Sequence, residues 1–219
     1  MGTASGHWKN GNMERNNNGE SGMQSDGKSR SGAELTFVTH EFAPVFDAHS
    51  RVLLLGSIPS PKSRETHFYY GHPRNRFWKT LSAVFDAPVP ETIPEKKTFL
   101  LAHGIALWDV LQSCLIHGAD DGSITEPVPN DIAGLLRQTD VHCVFTTGSK
   151  AYALYMKYCY PKTQTPAVKL PSTSPANCRM RDEELKEAYR AVRKALDEIE
   201  SGDHRIARSF KANKEMRRK

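Results

Sequence analysis

Four short apolar runs each stop abruptly at a glycine, an aspartate or a hydroxyl-rich turn: Val52 to Leu55, Ile105 to Trp108, Val141 to Thr146 and Val168 to Leu170. Runs that are apolar throughout read as strands buried on both faces, the signature of a parallel sheet. Stretches with helical spacing fall between and after them. Arg76 to Phe85 carries Phe77, Leu81, Val84 and Phe85 before Ala87-Pro88 stops it, and Lys96 to His103 ends at Gly104. A third helix is predicted from about Lys150 to Lys157, and the last places Leu185, Ala188, Tyr189, Val192, Leu196 and Ile199 on one face. The alternation predicts a single-domain α/β fold with a central four-stranded, mainly parallel sheet and helices on both faces. Ligands of such folds bind beyond the carboxyl ends of the strands, so the polar residues that follow each run are the first functional candidates.

Residues 1–34 consist mostly of Gly, Ser, Asn and charged groups, which predicts a disordered leader; the folded domain is expected over 35–200. A basic tail, 201–219, carries Arg205, Arg208, Lys211, Lys214, Arg217, Arg218 and Lys219. The formal net charge of +5 and pI near 9.0 favour an anionic partner. Cys114, Cys143, Cys159 and Cys178 form no CxxC pair and have no nearby histidine partners, so they read as free thiols, and neither a metal nor a cofactor is expected. No stretch is apolar enough to span a bilayer and no secretory signal is present, which predicts an intracellular protein, nuclear if eukaryotic and otherwise cytoplasmic, and a monomer.

After the first run, Gly56-Ser57-Ile58-Pro59-Ser60 leads into a loop of aromatic, basic and amide groups that ends in His72-Pro73-Arg74-Asn75-Arg76-Phe77-Trp78. Asn75 at a helix entrance reads equally as a cap or as a catalytic amide, able to hold water and to face the amide-like edge of a nucleobase. Tyr69, Tyr70 and Phe77 are either packing residues or a platform for an extruded base. Arg74 and Arg76 are solvated charges or phosphate ligands. Asp109, at the end of the second run, is a cap or a group that accepts a hydrogen bond from a base or polarises water. Gly148-Ser149-Lys150 lacks the glycine spacing of a nucleotide-triphosphate loop. It remains a candidate phosphate contact, as does the rigid hydroxyl loop containing Ser172, Thr173 and Ser174.

Taken in order, SRVLLLGSIPS, YYGHPRNRFW, GIALWDVL, VFTTGSKA and LPSTSPAN resemble the uracil-DNA glycosylase superfamily, and within it the hypoxanthine-DNA (deoxyinosine) glycosylase branch, over roughly Phe42 to Leu196. The resemblance implies a monofunctional hydrolase that flips a deaminated base, hypoxanthine and also uracil, out of DNA and cleaves its N-glycosidic bond. It implies Asn75 and Asp109 as catalytic residues, with Gly56, Ser57, Ile58 and Phe77 against the base. Arg74, Arg76, Ser149, Lys150, Ser172, Thr173 and Ser174 would lie along the DNA. Ile58 stands where mismatch-specific uracil and thymine glycosylases keep an asparagine, and Leu170 where the superfamily usually has a histidine. A mismatch-specific glycosylase and a non-catalytic damaged-DNA binding module are the alternative readings.

Overall fold

Leu53 and Leu55 point to one side of their strand and Val52 and Leu54 to the other, and all four are fully buried. This strand, β2 (Val52–Gly56), is therefore central and covered on both faces. The computed structural model describes residues 34–201; the leader up to residue 33 and the tail from residue 202 lie outside the described residues. The other elements in chain order are β1 (Leu35–Thr39), α1 (Pro61–Glu65), α2 (Phe77–Val84), α3 (Ile93–Ala102), β3 (Ile105–Asp109), β4 (Leu111–His117), β5 (Thr125–Pro129), α4 (Ile132–Arg137), β6 (Cys143–Thr147), α5 (Ser149–Leu154), α6 (Tyr160–Thr163), β7 (Ala167–Leu170) and α7 (Asp182–Glu200).

The parallel sheet has the order β3-β2-β6-β7. Val52 and Leu54 pack with Phe77, Leu81, Leu100, Leu185, Tyr189 and Val192, placing α2, α3 and α7 on one face. Leu53 and Leu55 pack with Ile132, Leu135, Leu154 and Tyr155 from α4, α5 and the turn after it. Each fully buried leucine of this kind contributes roughly 1.5 to 3 kcal/mol. Cys114, Cys143 and Cys159 are buried with these residues as free thiols, and Cys178 is exposed. Among the described residues no helix is long and apolar enough to cross a membrane.

Two helices depart from their expected limits for local reasons. α3 starts at Ile93, three residues before the expected Lys96, because Thr92 and Glu95 form a capping box: Glu95 N–H donates to Thr92 Oγ1 at 3.3 Å, and Thr92 N–H to Glu95 Oε2 at 3.1 Å. The helix begun at Ser149 does not stop at Lys157. It widens into a π turn over Tyr155–Cys159 and continues as α6. Pro161 has no N–H to donate and its ring crowds the preceding turn, so a widened turn lets the helix pass it.

A second sheet, antiparallel in the order β1-β4-β5, was not expected. Val38 pairs with Cys114 and Thr36 with Ile116, and Val38, Cys114 and Ile116 turn into the same core as Leu53 and Leu55. The outer face is partly open, with Phe37 62% exposed. Register shifts in the β4–β5 pairing break the alternation that would mark these strands in the sequence.

Candidate active site

All four parallel strands deliver their carboxyl ends to one cavity of about 140 Å³. β2 contributes Gly56, Ser57 and Ile58, β3 contributes Asp109, β6 contributes Thr147, and the segment after β7 contributes Ser172, Thr173 and Ser174; Asn75, Tyr69 and Tyr70 close it from the loop before α2. Gly56 permits this closeness. A Cβ there would collide with the Asp109 carboxylate and lie 3.3 Å from the Tyr70 hydroxyl oxygen. Gly148, at φ 105, gives the backbone the left-handed turn that opens α5 beside the cavity.

Asn75 is both cap and cavity residue. Its Oδ1 accepts the Phe77 N–H at 2.9 Å at the entrance of α2, which assigns the amide orientation and turns the two Nδ2 donors elsewhere. Asp109 is 4% exposed and held from two sides: Asn130 Nδ2 donates to its carbonyl at 2.9 Å, and His40 Nε2 meets its Oδ2 at 2.9 Å. His40 Nδ1 accepts the Phe42 N–H at 3.2 Å, so the ring proton sits on Nε2 and is donated to the aspartate. The imidazole packs edge-on against Phe42 at 5.4 Å and near Tyr69 at 5.7 Å. Sequence reasoning missed His40, which lies 69 residues from its partner.

The aromatic wall is Tyr70. Phe77 is fully buried, with one face covered by the Tyr70 ring at a centroid separation of 3.8 Å and 10° between planes, so the expected stacking of Phe77 on a base is corrected: the ring that borders the cavity is the one lying on it. Tyr70 has φ 54, a rare conformation for a bulky residue, and its hydroxyl is fixed 2.8 Å from Thr147 Oγ1. Burial, then the nearby Asp109 carboxylate, raise its phenol well above the ordinary range, so it remains a neutral hydrogen-bonding group.

Two further expectations are corrected by geometry. Arg76 is spent inside the fold: its guanidinium donates to the Met180 carbonyl, to the Asn177 carbonyl at 2.8 Å and to Asp182 at 3.3 Å, which leaves no open fork for phosphate. Thr173 is 1% exposed and its carbonyl takes the Arg76 N–H, so its hydroxyl does not face outward. Arg74 and Ser149 are exposed, and Lys150, Ser172 and Ser174 are partly so; of these five, Ser172 and Ser174 line the cavity. Ile58, 8% exposed, forms an apolar piece of the wall, and Leu170 is buried at the end of β7. Asp121, from the turn between β4 and β5, also lines the cavity and was not singled out from the sequence.

Comparison with known proteins agrees with this fold. The family profile of the uracil DNA glycosylase superfamily matches residues 43–196. A protein of Methanosarcina acetivorans named hypoxanthine DNA glycosylase is 32% identical over 142 residues, covering 63% of this chain and 87% of that protein. One of the same name from Methanosarcina barkeri is 32% identical over 93 residues, covering 42% of this chain and 59% of the relative. A solution NMR structure from Methanosarcina acetivorans, described as a candidate uracil DNA glycosylase, superposes with a TM-score of 0.61 at 28% identity, covering 72% of this chain and 99% of that one. With a matched region that takes in every residue lining the cavity and all four parallel strands, the chain belongs to the uracil DNA glycosylase superfamily.

Proposed function

We propose that this protein is a DNA repair glycosylase that flips hypoxanthine, and also uracil, from DNA and hydrolyses its N-glycosidic bond, acting as an intracellular monomer. The observation that carries the reading is the convergence of Asn75, Asp109 and the Tyr70 ring on one small cavity at the sheet's carboxyl edge. A flipped base would stack against Tyr70 and meet backbone N–H groups of the Gly56 to Ile58 segment, whose Gly56 and Ser57 carbonyls are already taken by Val110 and Leu111. Bond cleavage places positive charge on the sugar and negative charge on the departing base. The Asn75 Nδ2 donors suit the base, and the remaining lone pair of Oδ1 can hold the attacking water. Asp109, kept as an oriented acceptor by the His40 proton, suits the cationic sugar and the water that attacks it. Arg74, Ser149, Lys150, Ser172 and Ser174 would hold the phosphates on either side.

We predict that Asn75→Ala lowers single-turnover base release by roughly 10² to 10³, the cost of losing a positioned donor, while binding to hypoxanthine-containing duplex stays close to wild type. Oligonucleotides carrying hypoxanthine, uracil or a thymine mismatch, assayed side by side, rank the substrates. A fully active Asn75→Ala protein would refute the assignment.

A further inference from the structure

The Asp121 side chain has no task in its own turn, where only the backbone carbonyl is used, by the Ile124 N–H. The turn between β4 and β5 is closed by Asp120, whose Oδ1 accepts the Gly122 N–H at 2.8 Å, and by Ser123, whose hydroxyl accepts the His117 N–H and donates to the Asp120 carbonyl at 2.7 Å. The Asp121 side chain instead reaches the parallel sheet. Its Oδ2 accepts the Ser57 hydroxyl at 2.7 Å, 64 residues away in sequence, and it lines the same cavity as Asn75, Asp109 and Tyr70. Its Oδ1 has no hydrogen-bond partner among the described residues. Asp109 is different: His40 holds one of its oxygens, and the other, in the space that Gly56 leaves open, is the one assigned above to the sugar and the water.

An ionised carboxylate only accepts hydrogen bonds. Hypoxanthine and uracil carry a ring N–H beside their carbonyl, whereas adenine and cytosine carry a lone pair at that ring nitrogen. The same carboxylate oxygen therefore attracts the first pair and repels the second. Building on the reading that the cavity takes deaminated bases, we propose that Asp121 is a specificity-determining residue, its free Oδ1 accepting the ring N–H of the flipped base. Desolvation, and then repulsion from Asp109 and Asp120, raise the Asp121 carboxyl pKa against the lowering effects of Ser57 and Lys150. The Asp121 Oδ1 is not among the buried polar atoms that lack a partner, so it stays accessible from the cavity to an incoming N–H.

The test pairs a change in the protein with a change in the base. Base release from duplexes carrying hypoxanthine or 1-methylhypoxanthine, which lacks the N–H, is measured for wild type, Asp121→Ala and the near-isosteric Asp121→Asn, each checked for folding by thermal melting. In wild type the methyl group should slow release by roughly tenfold or more, the effect of removing one hydrogen bond to a charged group. In Asp121→Ala that ratio should fall towards one, because there is no acceptor left to lose. Asp121→Asn, which retains the bulk, should also show a reduced ratio. Variants that slow both substrates equally and keep the wild-type ratio would give Asp121 a structural role only and overturn the proposal. If wild type releases no hypoxanthine, the underlying substrate reading fails and this one with it.

Discussion

At the residue scale, the cavity is organised by side chains with two tasks. Asn75 caps α2 with its oxygen and keeps its amide donors, and Tyr70 covers Phe77 with one face while bordering the cavity. Asp121 lets the cost of such placement be measured. Its carboxyl pKa is raised above the ordinary 3.8, first by burial, so the folded state favours the protonated form more than the unfolded state does. The associated stability is fully present below the unfolded pKa and is lost as pH rises through the folded one. We predict that Asp121→Asn gains stability relative to wild type as pH is raised from about 3 to 8. Thermal melting across that range measures the difference, and a gap that narrows towards high pH would contradict the sign.

At the scale of elements, Arg76 fastens the entrance of α2 to the loop and first turn of α7 through Asn177, Met180 and Asp182. With its side chain 18% exposed, truncation would strand two carbonyls that have few routes to water. Arg76→Ala should cost about 2 to 3 kcal/mol in urea unfolding. Arg74→Ala, two positions earlier and exposed, should stay within about 0.5 kcal/mol of wild type. If Arg74 instead holds phosphate, its loss weakens DNA binding across sequences and lowers the salt slope by about 1, read from affinities at several salt concentrations. The sequence shows both arginines beside Asn75 but not their difference, because the acceptors of Arg76 lie about a hundred residues away.

For the whole molecule, the parallel sheet was readable because continuous apolar runs buried on two faces leave an unmistakable pattern in the chain, and each run ended where the cavity begins. Asp109 stood out for the same reason, as the polar end of the β3 run, whereas Asn75 stood out as an amide at the entrance of α2. The antiparallel sheet was not readable, since one face is partly open, Ser113 and Cys114 interrupt the alternation and its ladder shifts register. His40, which reaches Asp109 from this sheet's side, and Asp121, which lines the cavity from it, were missed with it. Their meaning arises only from contacts across 69 and 64 residues.

That division of labour carries a consequence for the order in which the protein assembles. Val38 and Cys114 are paired across a long intervening stretch that includes β2 and β3, a closure with a large entropic cost before its contacts form. The parallel core can gain its secondary structure before β1 docks, but the His40 proton reaches Asp109 only after docking. During refolding from urea, we predict that helical circular dichroism recovers ahead of base-release activity. Simultaneous recovery would mean that the small sheet docks with the core in one step.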